Sequence, residues 1–254
     1  MRGLLATLRT AVAEVRANPA SFITQVTVMG LNDIVWILFW VLFFRRVGTV
    51  RGWDGQSIML LLAVITGAAG IALGVLANAR RIGSMAVDGH LDAVLSLPVP
   101  PLAHVLLRRI EATNVGDLGF GLILFVATGS PTLERTAVFV FAVVAAATIM
   151  TGFLVLAGSL AFFAGRNEAG ELGFHAMLLL GSYPVDIFAG AAKVLLYTAV
   201  PAAFVSSVPA RLVQDFDAGQ AAWLVAVAVA FAFAGWATFT LGLRRYTSGS
   251  VWTR

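Results

Sequence analysis

Apolar runs of about 20 residues recur along this chain, and they constrain its fold more than any motif does. Four are plain: Phe22–Phe44, Ser57–Ala77, Arg135–Ala164 and Ala221–Leu243. In hydrocarbon every backbone N–H and C=O must be bonded within the protein, so a run of this length folds as a spanning helix. A membrane barrel would alternate apolar and polar residues with period 2, and these runs do not. Composition agrees: 59% of residues are hydrophobic and 12% charged, against about half and about a quarter in soluble domains. The expected fold is an all-α integral membrane protein.

The net charge of +4 would suggest nucleic acid in a soluble chain. Here the arginines flank apolar runs, where they anchor and orient spans, so the bilayer is the expected partner and nucleic acid is not. The chain has no cysteine, which excludes disulfides and thiolate-bound metal.

Taken in order, the chain reads as six spans. Residues 1–19 carry Arg2, Arg9 and Arg16 on one face and Leu4, Leu8, Val12 and Val15 on another, the pattern of an interfacial amphipathic helix. The first span holds Asn32 and Asp33 near its middle. Pro100 and Pro101 suit the first turn of a long third helix, which enters the membrane near Ala112 and leaves near Thr128. Gly129-Ser130-Pro131 is a tight connection before span four, and Arg166–Glu171 a charged link after it. The fifth segment is interrupted at Tyr183-Pro184 and again at Pro201 and Pro209. One span with a kinked exit would account for it. A shorter span followed by re-entrant half-helices over residues 183–213 fits the prolines better.

Both termini are expected on the cytosolic side. Eleven of the seventeen basic residues then lie inside: Arg2, Arg9, Arg16, Arg80, Arg81, Arg108, Arg109, Arg166, Arg244, Arg245 and Arg254. Arg45, Arg46 and Arg51 in the first outer loop run against that bias.

Residues 78–109 form the longest polar interruption, opened by Arg80-Arg81 and closed by Arg108-Arg109. Gly89 suits a bend, and Pro98 stops any helix at or before Leu97. Between them Leu91, Val94 and Leu95 share one face of a short helix, while Asp92 and Ser96 turn away. Two readings stand: a docking element for a cytosolic partner, or a loop helix resting on lipid headgroups.

Enzymatic motifs are absent: the sequence holds no HExxH, GxSxG, phosphate-binding GxxxxGK[ST] or GxGxxG. His90, Asp92 and His104 in one loop are more simply solvated than metal-bound. Asp33, Asp117, His175, Asp186 and Lys193 fall within or beside apolar segments, where ionisable groups suggest function. Three roles are open for Asp33: a polar tie between helices, a substrate or gating contact, or a proton relay.

Three stretches carry a resemblance: GHLDAVLSLPVPPLAHVLLRR (Gly89–Arg109), SYPVDIFAGAAKVLLYTAVPAAFVSSVPARLV (Ser182–Val213) and GLRRYTSGS (Gly242–Ser250). In this order on six spans, they resemble the membrane subunits of type-two ATP-binding-cassette exporters, in the bacterial branch with paired permeases. The resemblance implies a single permease domain over residues 1–254, with 1–19 as connecting helix, 78–109 as cytosolic coupling loop and 183–213 as re-entrant segment. It implies a dimer with a second, identical or related permease in the bacterial cytoplasmic (inner) membrane, and a separate cytosolic ATPase that holds ATP and Mg. This chain then binds no cofactor and is no enzyme itself. Coupling would fall to Gly89, Leu91, Asp92, Val94, Leu95 and Pro98. The path or its gate would involve Asp33, Tyr183, Pro184, Asp186, Pro201 and Phe204. The competing classes are a proton-coupled secondary transporter using Asp33 and Asp117, and a non-transporting scaffold.

Overall fold

The computed structural model describes residues 2–128, 130–165 and 168–246. Expectations placed on Gly129, Arg166, Arg254 and the Thr247–Ser250 ending lie outside these residues. The described residues form helices joined by turns and loops, with no strand beyond an isolated bridge between Val50 and Trp53. Four helices are long and apolar enough to cross a membrane, and up to six cross if each of two bent pairs counts as one span.

The helices, in order, are α1 (Arg2–Ala17), α2 (Pro19–Val47), α3 (Gly55–Ala69), α4 (Ile82–Val87), α5 (Asp92–Leu95), α6 (Pro101–Leu107) and α7 (Ala112–Thr128). They continue as α8 (Leu133–Ser159), α9 (Ala161–Ala164), α10 (Ala169–Gly181), α11 (Gly190–Tyr197), α12 (Ala202–Val205), α13 (Ser207–Gln214) and α14 (Ala218–Leu243). The unambiguous spans are α2, α3 with its continuation to Val75, α8 with α9, and α14. Each begins on a side-chain cap. Asn18, Asp54, Thr132 and Asp217 accept from the backbone N–H of Ser21, Ser57, Arg135 and Gln220, satisfying donors the helix leaves open.

Packing is organised around α3 and α8. Helix α8 runs along α14, α3 along α7, and α2 leans on α7. The first two pairs approach so closely that glycine is required. A Cβ on Gly152 would sit 2.6 Å from the carbonyl carbon of Phe231, and one on Gly121 would sit 2.6 Å from the carbonyl oxygen of Ala63. Small residues let membrane helices gain dispersion contacts where no hydrophobic force drives them together. Where α7 crosses Gly70 and Gly74, α3 widens into a π turn over Gly70–Val75, then tightens into a 3-10 turn over Ala77–Arg81.

The expected long third helix is corrected. It starts at Pro101, as the proline pair suggests, but stops at Leu107, and the chain turns by 80° before α7. Arg108 and Arg109 at the break are exposed, Arg109 pairs with Glu111 at 3.3 Å, and the Glu111 N–H bonds to the Gly74 carbonyl at 2.9 Å. Two adjacent guanidinium groups are costly in hydrocarbon, which disfavours a straight helix running through them into the span.

The fifth segment is broken as its prolines suggest. Helix α10 has 13 residues, about 20 Å at 1.5 Å per residue, too short to cross alone. After it, α11 and α12–α13 bend by 57° about Pro201, the geometry of a broken span or a re-entrant loop.

The outer surfaces of α2 and α14 are apolar: Ile23, Val35, Trp223, Val229 and Phe233 are all exposed. Such a girdle needs lipid or another membrane chain around it, and the protein is a multi-pass membrane protein.

Candidate functional site

Three constellations line the bundle from end to end. At the end that carries α1, a cleft of about 860 Å³ opens between α1, the 78–109 loop and the start of α7. Its walls are charged, with Glu14, Arg81, Asp88 and Asp92 facing Arg108 and Arg109. Helix α5 forms part of this wall. Gly89 precedes it with φ +77°, a left-handed conformation open to glycine at little cost.

The apolar residues of α5 and its flanks divide in a way that corrects the spacing argument. Leu91 and Val94 are each 1% exposed and join the chain's own core. Leu95 and Leu97 are 42% and 44% exposed. A one-turn helix is too short for one face to serve two sides, so the loop's own packing claims the inner pair. Asp92 and Pro98 are also exposed. At the end of α14, burial and then the hydrogen bond and charge of Asp92 push the Tyr246 phenol up to about 12. That contact falls short of a well-formed hydrogen bond, yet it sets the α5 carboxylate against the end of the last span.

Helix α1 docks on α6 beside this cleft. The Thr7 hydroxyl donates to the Gly3 carbonyl and meets His104 Nδ1 at 2.8 Å. Burial, then the charge of Arg108, holds His104 below its ordinary range, so the ring is neutral at physiological pH.

Midway along the bundle, a cavity of about 150 Å³ lies between α2, α3, α7 and α10. Asp33 and Asp117 both line it, with Asn32, Trp36, Thr66, Phe120 and Ser182. Asp33 is one of only three buried residues on the 29-residue α2, with Trp40 and Phe44. The helix turns this carboxylate inward while exposing most of its apolar side chains. Asp117 is 2% exposed and accepts from Asn114 Nδ2 at 3.2 Å through Oδ2. Oδ2 of Asp33 and Oδ1 of Asp117 accept no hydrogen bond.

At the far end, Asp186 is a hub. Its carboxylate accepts from Lys193 Nζ at 2.9 Å, Arg211 Nη2 at 2.6 Å and Trp53 Nε1 at 3.0 Å. Its carbonyl accepts from Arg51 Nη1 at 3.0 Å. Burial works to raise the Asp186 carboxyl, but the Lys193 and Trp53 hydrogen bonds and the Arg211 and Lys193 charges outweigh it and hold the group low. Arg51 is held at φ 48°, an uncommon backbone conformation for a residue other than glycine. Beside the hub, Tyr183 packs edge-on against Trp36 and Trp40 with ring centroids 5.9 and 5.6 Å away. Pro184, Pro201 and Phe204 are buried.

The residues singled out in the sequence thus fall into three separate places. Asp33 lines the cavity; Tyr183 and Asp186 belong to the far end, and Gly89 to Pro98 to the near end. Missed in the sequence were Trp53, Arg51 and Arg211 as partners of Asp186, because each lies far from it along the chain. Asn114 carried a signal, standing three residues before Asp117 on one helical face. Among the described residues no group of three or more His, Asp or Glu side chains is placed to hold a metal ion. His104 bonds Thr7, apart from His90 and Asp92 in the cleft wall.

Residues 31–250 match the family model described as ABC-2 family transporter protein. No curated protein and no solved structure matches the chain.

Proposed function

The chain belongs to the ABC-2 transporter family, and from that premise we propose that it is the membrane subunit of an ATP-driven exporter, energised by a separate cytosolic ATPase. The family makes it a transport component rather than a catalyst and implies an ATP-binding partner. Here the partner docks on the 78–109 loop, both termini lie in the cytosol, and the membrane is the bacterial cytoplasmic one. A second permease, identical or related, completes the path. The low burial of α2, 11% across its most apolar stretch against 83% for α3, is consistent with a face reserved for that subunit.

The division of α5 carries this reading. Leu95 and Leu97 offer an apolar step to a partner, while Leu91 and Val94 on the same turn are locked into the core. A push on the exposed pair reaches the spans through the buried pair without a flexible joint. Gly89 and Pro98 would bound the moving element. At the far end, Tyr183, Pro184, Asp186, Pro201 and Phe204 would form or brace the gate.

The test is the Leu95→Ser/Leu97→Ser protein. Interface energy concentrates in a few apolar anchors, so ATPase retained on the purified permease should fall by about an order of magnitude. Both positions are exposed, so insertion should persist. Leu91→Ser should instead lower the yield of folded protein. Full ATPase retention and full export in the double variant would remove the coupling assignment.

A second reading, proton-coupled transport through Asp33 and Asp117, draws on the cavity both carboxylates line. Export stopped by an uncoupler while ATP persists would favour it.

A further inference from the structure

The cavity between α2, α3, α7 and α10 has the chemistry of an ammonium site. Its two carboxylates come from different helices, Asp33 at 6% and Asp117 at 2% exposure; both side chains line the same space, and each keeps a buried oxygen that accepts no hydrogen bond. No Lys, Arg or His lines it, so nothing in the wall balances their charge. A buried, unpaired carboxylate in hydrocarbon is costly, and a cation in the cavity offsets that cost. Trp36 and Phe120 line the same space and supply the aromatic surface that organic cations prefer. Asn32 and Thr66 add neutral acceptors for N–H groups.

Size and position narrow the ligand. About 150 Å³ admits a charged head and a few carbons, whereas drug-sized pockets run to about 300–1,000 Å³. The rim residues Asn32 and Leu179 are exposed, Leu179 at 56%, so the cavity opens sideways between α2 and α10. A bare metal ion fits less well, because no third carboxylate or imidazole accompanies the pair.

We propose that the Asp33–Asp117 cavity binds the protonated amine of an amphipathic substrate, whose apolar remainder lies outside between α2 and α10. This names the substrate class of the transport reading above and rests on it. Asp33 and Asp117 hold the ammonium, Trp36 and Phe120 pack on its carbons, and Asn114 positions Asp117.

The experiment compares two fluorescent dodecyl probes, one ending in a primary ammonium and one in a hydroxyl. Each is titrated into the purified protein in lipid nanodiscs with all its bound subunits. The wild-type protein should prefer the ammonium probe by about tenfold or more, the order expected for a desolvated charge pair with aromatic contact. Asp33→Asn and Asp117→Asn should each reduce that preference, and the double variant should abolish it, with hydroxyl binding unchanged. Equal binding of the two probes by the wild-type protein overturns the proposal, even if a variant fails to fold. A preference that survives in a well-folded double variant overturns it as well. ATPase co-purification is scored on the same samples. Its absence would end the exporter reading while leaving the probe comparison valid.

Discussion

The indole N–H of Trp53 donates to Oδ2 of Asp186 at 3.0 Å across 133 positions of sequence. Trp53 is 1% exposed, and the guanidinium of Arg211, which also binds Asp186, lies 5.2 Å from its ring centroid. One carboxylate therefore ties the α2–α3 loop to the α10–α11 turn, to α11 and to α13.

Asp186→Ala should loosen all four. Its cationic partners are 40% and 49% exposed, so solvent screens much of the charge, and the loss should be about 1–2 kcal/mol. For a chain of this size that is a melting point lower by about 2–4 °C per kcal/mol. A midpoint unchanged in detergent would show that the hub is not structural. Because the folded carboxyl is held below its ordinary value of 3.8, its contribution is complete above that pH and is lost as pH falls through the folded value. The acid-induced drop below about pH 4 should accordingly be shallower in Asp186→Asn.

His104 gives a response nearer physiological pH. Its Nδ1 lies 2.8 Å from the Thr7 hydroxyl, which donates to the Gly3 carbonyl, and burial, then Arg108, disfavour the charged ring. A folded value below 6.5 means that the docking of α1 is complete above 6.5 and weakens as pH falls through the lowered value. A spin label at exposed Leu5 should become more mobile between pH 7.5 and about 5.5. The His104→Gln protein should lose that change, and a label whose mobility tracks pH in the variant too would refute the assignment.

Close approach of α8 and α14 predicts a sharp size limit. Gly152→Leu places atoms where the Phe231 backbone lies, and overpacking of this kind costs about 1–3 kcal/mol or forces the helices apart. Gly30→Leu, whose Cβ meets nothing within 4 Å, is the control on α2. Equal melting points for the two variants would contradict the packing described.

Orientation is testable because the chain has no cysteine. With both termini in the cytosol, a cysteine at Gly52 or Asp217 should react with an impermeant thiol reagent added to intact cells. One at Gly89 should not. Labelling in the opposite pattern would invert the topology.

The class of this protein was legible in its residues. Long apolar runs without alternation leave only spanning helices, because hydrocarbon offers no partner to an unbonded backbone. The breaks were legible too: Pro98, Pro101 and Pro201 and the bend at Gly89 act through their own backbone chemistry, which is local. Periodicity established that Leu91, Val94 and Leu95 approach one face of α5. It did not say what that face meets, and the fold buries the first two and exposes the third. Lipid-facing and core-facing helix surfaces have similar composition, so α2 and α3 look alike as sequences, although one is largely exposed and the other largely buried. Asp33 was visible as a charge in a span. Its companion Asp117 in the same cavity, and the four groups on Asp186, exist only once helices distant in sequence are packed side by side.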